Sequence, residues 1–323
     1  MFSVVIPLYN KANYIEKAVE SVLAQTWPDF DLIVVNDGST DGGAGRLAQF
    51  TDPRLRVIDQ ANAGVSVARN NGAKHARFGH VAFLDADDWW HPHFLEEMNR
   101  LITGFPDAGL YGCGYLVVKN GLHTPAQVGV SSGFSAGYIN YFAVYARTFW
   151  VPVNCSFVVV KKLVFEQQNG FNSSLKFGED FDLWVRIALT HKVAYVNQLL
   201  AYSNQDADPV NRALGTDRCW KPAEHVTFNL NNFARHEPHN PTLSALFDGL
   251  RVRSLVPYWL NGWYRGEVRA IINRVNLAEQ PPFYRFIYRW PLPVVKAYFR
   301  TKQVGSTLKQ RLLRTYAQRA ATT

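Results

Sequence analysis

Apolar runs alternate with helically spaced apolar residues over the first two hundred positions of the chain. Residues 2–8, FSVVIPL, form a continuous run rich in β-branched side chains, which is typical of a strand buried on both faces. Runs of the same kind predict further strands over 31–36, 55–59, 80–85, 111–118 and 155–160.

Helical spacing fills several of the intervals between these runs. Apolar residues recur at helical spacing from Ile15 to Leu23, with Asn13 as the expected N-cap and Pro28 as the stop. Further helices are predicted over 46–50, 65–77 and 179–190 and near Pro92. Strands that alternate with helices in this way predict right-handed βαβ units, and therefore an α/β fold with a mostly parallel sheet flanked by helices.

The pattern changes at about residue 220, after which it is helical and interrupted by prolines. We therefore expect an α/β domain over 1–220 and a helical extension over 221–323. A chain of 323 residues, 47% of them hydrophobic, is long and apolar enough for one large domain, or for a medium domain with an appendage.

The net positive charge of the chain comes from the C-terminal tail. The formal net charge is +8, and residues 281–323 contain nine basic side chains and no acidic ones. The remaining 25 basic and 26 acidic side chains nearly balance each other. The cations of the tail are Arg285, Arg289, Lys296, Arg300, Lys302, Lys309, Arg311, Arg314 and Arg319.

The cysteines and the N-terminal residues indicate the cellular compartment of the protein. Cys113, Cys155 and Cys219 stand far apart without a CxxC pair, which argues against a disulfide framework or a zinc site and fits a reducing compartment. No basic leader is visible, and no apolar run approaches the roughly 20 residues needed to cross a bilayer. We expect a cytoplasmic protein.

Polar side chains follow the predicted strands at the positions where open α/β sheets bind ligands, beyond the carboxyl ends of the strands. Tyr9 and Asn10 follow the first strand, and Asp37 follows the second. The segment FLDADD at 83–88 ends the fourth. Each of these residues alone is also explained by a turn or a helix cap, and for Asp37 that interpretation is equally good.

The DADD segment suits a hard divalent cation. In extended backbone Asp85 and Asp87 point to one side while Ala86 points to the other. Two carboxylates on one side fit Mg²⁺ or Mn²⁺, which usually keep open positions for phosphate oxygens. A metal would also offset the repulsion between the carboxylates.

Four segments of the chain, in the family's order, resemble the family 2 glycosyltransferases with the GT-A fold. The resemblance covers about residues 1–200 and implies an inverting transfer of a sugar from a nucleotide diphosphate sugar, commonly a UDP-sugar, to an acceptor hydroxyl. The segments are SVVIPLYNKANYIEKAVESVLAQTWPDFDLIVVNDGSTD, NAGVSVARNNG, FLDADD and GFNSSLKFGEDFDLWVRIAL.

The resemblance also implies roles for individual residues in donor binding. Pro7, Tyr9 and Asn10 would line the nucleoside pocket, and Asp37 would accept a hydrogen bond from the base. Arg69 would approach the diphosphate or help to hold the aspartates.

In the DADD segment the resemblance places Asp85 near the ribose or the sugar and Asp87 on the metal. Both are candidate ligands of Mg²⁺ or Mn²⁺. Asp88 either joins them or caps the helix predicted near Pro92.

The GEDFDLW segment would supply the catalytic base, for which we favour Asp180 with Glu179 beside it. An acceptor hydroxyl is a poor nucleophile at neutral pH, so a carboxylate must remove its proton during attack. Acidic residues at a helix N-terminus are also explained by the helix dipole alone. Many relatives have a histidine after this helix; here His225 lies further on, as a ligand or as a core residue.

Residues 283–300 combine aromatic side chains with cations. Phe283, Phe286 and Trp290 fall on one helical stripe, while Arg285 and Arg289 fall on another. This pattern is typical of helices that lie at an anionic membrane surface. It suggests a peripheral membrane protein that acts on a glycan or lipid-linked acceptor in polysaccharide or glycolipid synthesis. The alternatives are docking of the aromatics on the catalytic domain or on a second copy; nucleic acid is disfavoured because no recognition fold accompanies the charge.

Two other functions stay open at the level of sequence. A sugar-phosphate nucleotidylyltransferase has a related sheet, but it usually carries a glycine-rich segment after the first strand, where this chain has PLYNKANY. A catalytically idle nucleotide- or sugar-binding module would keep the donor-site residues without transferring a sugar.

Overall fold

The computed structural model describes residues 1–207 and 219–301. By its internal contacts the chain divides into two units, Met1–Leu246 and Phe247–Thr323. The predicted domain boundary between residues 220 and 221 stays a prediction.

Ten strands form one mixed sheet in the first unit, in the order β3-β2-β1-β4-β9-β6-β10-β5, with β7 paired to β6 and β8 to β10. The predicted α/β class is confirmed. The strands are β1 Phe2–Leu8, β2 Phe30–Asp37, β3 Leu55–Gln60, β4 His80–Phe83, β5 Trp89–Trp90, β6 Ala108–Lys119, β7 Leu122–Pro125, β8 Ala136–Ile139, β9 Val158–Lys161 and β10 Lys192–Asn204.

The parallel part of the sheet is the half built from the first four strands. β1 pairs in parallel with β2 and β4, and β2 pairs in parallel with β3. In the other half β9 runs antiparallel to β4 and β6, and β10 is parallel to β6. The carboxyl ends of β1, β2 and β4 therefore share one edge of the sheet.

Helices flank the sheet and continue into the C-terminal region, as predicted. A 3₁₀ turn, Gly45–Gln49, stands where a short helix was expected over 46–50. The α-helices are α1 Ile15–Leu23, α2 Val65–Lys74, α3 Phe94–Gly104, α4 Tyr141–Thr148, α5 Lys162–Gln167, α6 Glu179–Ala188, α7 Val226–Asn229, α8 Pro241–Ser254, α9 Val256–Asn261, α10 Arg265–Ile272 and α11 Pro282–Arg289.

Two helices pack on the parallel half through apolar and small residues. α1 buries Ile15, Ala18, Val19 and Val22, and its N-cap is Tyr14 rather than the predicted Asn13. α2 approaches β1 closely at Gly72, where a Cβ atom would lie 2.3 Å from Val5 Cγ1. This contact fixes the helix that carries Arg69 against the strand that precedes the first polar loop.

The second unit has its own helical core. Val268, Ile271 and Ile272 of α10 are buried, and the Tyr288 hydroxyl of α11 donates a hydrogen bond of 2.8 Å to the Val252 carbonyl. Trp259 packs edge-on against Tyr288. Across the described part of the chain, no helix combines the length and the apolar character needed to span a membrane.

Candidate active site

The loop after β1 is tied to the loop after β2. Asn10 has a left-handed backbone (φ 50°), and its side-chain oxygen accepts a hydrogen bond of 2.8 Å from the Thr40 amide. The Asn10 amide donates to Ser39 Oγ (3.2 Å), and the Ala12 amide donates to Asp41 Oδ2 (2.8 Å). Because Asn10 makes these bonds, it sets the course of the loop that follows the first strand.

Pro7 and Tyr9 lie on either side of the end of β1. Pro7 is buried inside the strand, opposite Val35 of β2. Tyr9 is 45% exposed. Of these two predicted nucleoside-site residues, only Tyr9 therefore presents a large surface to solvent.

Asp37 anchors the connection between β3 and α2. Its Oδ1 accepts hydrogen bonds from the Ala63 amide (2.8 Å) and Gln60 Nε2 (2.7 Å), and its Oδ2 accepts from the Gly64 amide (2.9 Å). A carboxylate has about four acceptor positions, so one remains on Oδ2. The side chain is almost fully buried, which makes it a fixed part of this edge.

Asp85 and Asp87 each pair with a cation from the same protein. Arg69 Nη2 donates to Asp85 Oδ1 at 2.7 Å, and Lys11 Nζ donates to Asp87 Oδ2 at 2.6 Å. The second pair connects the loop after β1 to the loop after β4. Lys11 was not singled out in the sequence, because nothing in the spacing links it to a residue 76 positions away.

Asp88 has a structural role in this arrangement. Its Oδ1 accepts a hydrogen bond of 2.7 Å from the Asn204 amide at the end of β10. Burial, followed by the charges of Asp87 and Asp85, raises the pKa of the Asp88 carboxyl well above its ordinary value. The interpretation of Asp88 as a helix cap was wrong, since α3 begins at Phe94 with His93 as its N-cap.

Arg69 joins the DADD segment to the start of α6. Its guanidinium is buried, and Nη1 donates to Glu179 Oε1 at 2.8 Å while Nη2 holds Asp85. The guanidinium carbon also lies 5.3 Å from the centre of the Phe171 ring. One arginine therefore fixes carboxylates from two distant segments of the chain in one place.

A glycine controls how α6 begins. Gly178 is the N-cap with a left-handed backbone (φ 77°), and a Cβ atom there would lie 2.3 Å from Val226 Cγ1. The loop before it pairs with the segment around His225, since the Phe177 amide donates to the Glu224 carbonyl and the Val226 amide to the Phe177 carbonyl. This segment supports the loop from which Glu179 and Asp180 project.

Asp180 differs from Glu179 in its charge environment. Among the described residues Asp180 forms no ion pair, and its Oδ1 accepts a hydrogen bond of 2.7 Å from the Phe181 amide. Burial, followed by the adjacent charge of Glu179, raises the pKa of Asp180 to about 7. A carboxyl with a pKa near neutrality is suited to take up and release a proton.

His225 lies beside this loop but within the core. The centre of its ring lies 4.7 Å from the centre of the Phe177 ring. Its Nδ1 accepts a hydrogen bond of 3.1 Å from the Thr227 amide, so His225 caps the N-terminus of α7. Burial lowers the pKa of His225 to about 4, so the ring is neutral at physiological pH. This geometry agrees with the core-residue interpretation.

The residues at this edge supply some of the ligands that a divalent cation needs, but not a complete set. Asp85 and Asp87 offer carboxylate oxygens, the donors that Mg²⁺ and Mn²⁺ prefer, and one oxygen of each is engaged by Arg69 or Lys11. No cluster of three or more potential protein ligands occurs in the ranges 1–207 and 219–301. The pair fits a cation that takes its remaining ligands from phosphate oxygens and water.

A polar cavity of about 650 Å³ lies elsewhere in the first unit. Asp182 and Arg186 of α6 line it as an ion pair of 2.8 Å, together with the segments 168–173 and 232–236. None of the predicted donor-site residues lines this cavity.

The mixed sheet flanked by helices is an α/β fold of the GT-A type. Residues 3–158, just under half of the chain, match the family model described as glycosyl transferase family 2. The predicted resemblance is thereby confirmed. Glu179 and Asp180 lie outside the matched residues.

A curated relative supports this assignment. The uncharacterized glycosyltransferase RT0329 of Rickettsia typhi is 28% identical over 217 residues, which cover 66% of this chain and 67% of the relative. Two other curated relatives match this chain over 50% and 15% of their own lengths.

Solved structures share the fold at low identity. S. aureus TarS 1-349, in complex with UDP, superposes with a TM-score of 0.60 at 18% identity and covers 88% of this chain and 86% of that one. The mannosyltransferase PcManGT of Pyrobaculum calidifontis, in complex with GDP-Man and Mn²⁺, gives a TM-score of 0.56 at 17% identity, with coverages of 94% and 80%.

Proposed function

We propose that this protein transfers a sugar from a nucleotide diphosphate sugar to an acceptor hydroxyl, with inversion at the anomeric carbon and Asp180 as the base. The observation that carries the proposal is the contact of Arg69 with both Asp85 and Glu179. It brings the DADD segment and the start of α6 together at the ligand-binding edge of the sheet.

The donor nucleotide would occupy the loops after β1 and β2. Tyr9 and Asn10 would border the base and the ribose, Pro7 would support them from within β1, and Asp37 would use its remaining acceptor position for an N–H of the base. Uracil offers such an N–H, and TarS, which has the same fold, was solved with UDP. We therefore propose a UDP-sugar as the donor.

Mg²⁺ or Mn²⁺ would be held by Asp87 and, less directly, by Asp85. When bound, the cation neutralises charge that develops on the diphosphate as it leaves. PcManGT, which has the same fold, was solved with Mn²⁺. Arg69 would keep Asp85 in place through their 2.7 Å hydrogen bond.

The two acids at the start of α6 would divide the work of proton transfer. Glu179 is held by Arg69, so its charge is neutralised and its side chain is fixed. Asp180 lies next to it with a pKa of about 7 and can accept the proton of the acceptor hydroxyl near neutral pH. Attack on the face opposite the departing diphosphate then inverts the anomeric carbon.

A donor screen tests the proposal directly. Thermal unfolding would be followed with UDP, GDP and ADP, each with and without Mn²⁺. Stabilisation grows as RT ln(1 + [L]/Kd), about 2.7 kcal/mol at 100 Kd, which is enough to rank the nucleotides. If no nucleoside diphosphate stabilises the protein, the donor site is wrongly assigned. If one binds but no sugar is transferred, the protein is an idle binding module.

The acceptor is proposed to be a glycan or a lipid-linked glycan at the cytoplasmic face of a membrane. In the second unit Trp290 is 56% exposed, and the neighbouring side chains of Arg289, Lys296 and Arg300 are also exposed. An aromatic ring flanked by cations fits the headgroup region of an anionic bilayer. The basic residues from Lys302 onward lie outside the described residues.

Charge reversal tests the membrane proposal better than truncation does. Removal of α11 would also remove Tyr288, which packs on Trp259 in the core of the second unit. A full-length variant with Arg289, Lys296 and Arg300 changed to Glu should float less with vesicles that contain phosphatidylserine. Equal flotation of variant and wild type would contradict a role for these cations in membrane binding.

A further inference from the structure

Lys11 stands in an unusual place for a lysine side chain. Its Nζ atom lies 2.6 Å from Asp87 Oδ2, and the exposed fractions of the two side chains are only 12% and 16%. Asp87 is the residue to which the proposed function assigns the metal. A divalent cation bound to Asp87 would lie next to this ammonium, and because the two like charges repel each other, they compete for the carboxylate.

The two cations of the acidic edge differ in how firmly they are held. Arg69 is buried, donates to two carboxylates and packs over Phe171, so it has no freedom to leave Asp85. Among the described residues Lys11 donates to Asp87 alone, at the end of a flexible four-carbon stem. Its ammonium also lies 5.8 Å from the centre of the Tyr14 ring.

Hydrogen bonds fix the backbone of Lys11 and of the residues on either side of it. The Lys11 carbonyl accepts hydrogen bonds of 3.0 Å from the amides of Tyr14 and Ile15, at the start of α1. The neighbouring Asn10 and Ala12 are tied to the loop after β2. Lys11 thus projects from a rigid loop, between the proposed nucleotide site and the proposed metal site.

We propose that Lys11 is an internal counter-ion of the metal site, which occupies Asp87 until the donor arrives and then moves to the diphosphate. The proposal rests on the proposed function. It makes Lys11 a positioning residue that couples the binding of the cation to the binding of the nucleotide. With the nucleotide absent, the cation binds against the charge of the ammonium; with the nucleotide present, the ammonium has an anionic group to move to.

This competition has a thermodynamic signature. If the nucleotide removes Lys11 from Asp87, the affinity for Mn²⁺ rises when UDP binds, and by linkage the affinity for UDP rises by the same factor when Mn²⁺ binds. Removal of the ammonium should strengthen the binding of Mn²⁺ alone. A charge-assisted hydrogen bond at this depth corresponds to an increase of about tenfold or more.

The experiment measures the binding of Mn²⁺ itself rather than turnover. Free Mn²⁺ would be counted by electron paramagnetic resonance during titration of the full-length protein, with and without saturating UDP. In Lys11→Met, Mn²⁺ alone should bind about tenfold more tightly than in the wild type, and the factor by which UDP improves Mn²⁺ binding should fall by a similar amount. Lys11→Gln provides a second, polar replacement in case the methionine variant does not fold.

Lys17→Met is the matched control. Lys17 belongs to α1, and its ammonium lies 3.0 Å from the centre of the Trp89 ring, close to the DADD segment but on an aromatic partner. This variant loses the same charge and should leave Mn²⁺ binding almost unchanged. If Lys17→Met and Lys11→Met strengthen Mn²⁺ binding equally, net charge explains the effect and the proposal fails.

Two further outcomes separate the inference from the proposed function. If the wild type binds UDP and Mn²⁺ together, and Lys11→Met shows the same affinity and the same coupling, the inference is wrong while the donor and metal sites stand. If no protein variant binds Mn²⁺ even with UDP, the metal site itself is wrongly assigned, and the inference falls with it.

Discussion

Replacement of Asp180 by Asn should remove catalysis and change how stability depends on pH. Asn keeps the shape of the side chain and can still accept the hydrogen bond from the Phe181 amide. It cannot take a proton from the acceptor. General-base catalysis contributes about 10²- to 10⁴-fold, so kcat should fall by that order while the binding of UDP is retained.

The magnitude for stability follows from the raised pKa. The pKa of Asp180 is about 7 in the folded protein, against an ordinary value of 3.8. A raised pKa means that the folded state binds the proton more tightly, so this contribution to stability is complete below pH 3.8 and is lost as the pH rises to 7. At 1.36 kcal/mol for each pH unit the loss amounts to at most about 4 kcal/mol. This is an upper limit because the side chain keeps partial contact with solvent.

Urea unfolding of the wild type and Asp180→Asn at several pH values between 5 and 8 measures the part of this loss that falls above pH 5, at most about 2.7 kcal/mol. Titrating groups that do not interact with Asp180, such as Asp88, are present in both proteins and cancel in the difference. The free energy of unfolding of the variant should exceed that of the wild type by an amount that grows toward pH 8. In parallel, kcat/KM of the wild type should decrease below about pH 7, because the base becomes protonated.

Two results would refute the reasoning, each in a different part. A stability difference that does not change between pH 5 and pH 8 would show that Asp180 has no raised pKa. Full transfer activity in Asp180→Asn would show that another group removes the proton. Glu179→Gln is the companion variant, since Glu179 is paired with Arg69 and should affect stability more than the pH profile.

Two other substitutions test the framework of the site. Arg69→Met should destabilise the protein by about 3–5 kcal/mol in urea unfolding, because it leaves two carboxylates of a partly buried network without their cation; a loss below 1 kcal/mol would contradict a structural role for this network. Gly178→Ala should lower the thermal midpoint and kcat together, since it adds a Cβ 2.3 Å from Val226 Cγ1 in a left-handed backbone. Gly104→Ala, at the end of α3 where a Cβ meets no atom within 4 Å, is the control that should leave kcat unchanged and should not lower the thermal midpoint.

The parallel half of the sheet could be predicted because its strands are buried on both faces. β1 and β2 are buried along their whole length, so their sequences contain uninterrupted β-branched runs. β10 was missed although it has 13 residues. Its apolar run is broken by exposed Asn197 and Gln198, where the pairing with β6 shifts register between Val196 and Leu199. A strand with such an irregularity has neither a continuous nor an alternating pattern.

The carboxylates of the site could be selected from the sequence, and the resemblance implied that Arg69 helps to hold the aspartates, but the other partners could not be predicted. Strand ends and the family resemblance identify Asp37, Asp85 and Asp180 by position along the chain. The partners of these groups come from remote segments, as with Lys11 and Asp87 or Arg69 and Glu179, which are 76 and 110 residues apart. The hydrophobic pattern of the sequence does not predict such pairs, because they depend on how the loops pack against each other in the folded protein. The role of Asp88 was missed for the same reason, since its partner is the amide of Asn204 in the unpredicted strand.

The cluster around Lys11 and Arg69 contains five carboxyl groups and therefore an excess of negative charge, which accounts for several features together. It explains why the two carboxyls of this cluster that have no cation among the described residues, Asp88 and Asp180, have raised pKa values, in each case through burial and through neighbouring acids. It also favours the uptake of further positive charge, which a divalent cation with a diphosphate would supply and balance. If Arg69 fixes the positions of Asp85 and Glu179, and Lys11 neutralises Asp87 until the metal binds, these side chains stay ordered before the donor binds. The excess charge then becomes a source of binding free energy for the cation rather than of strain in the fold. The five acids are Asp85, Asp87, Asp88, Glu179 and Asp180, and the two cations are Lys11 and Arg69.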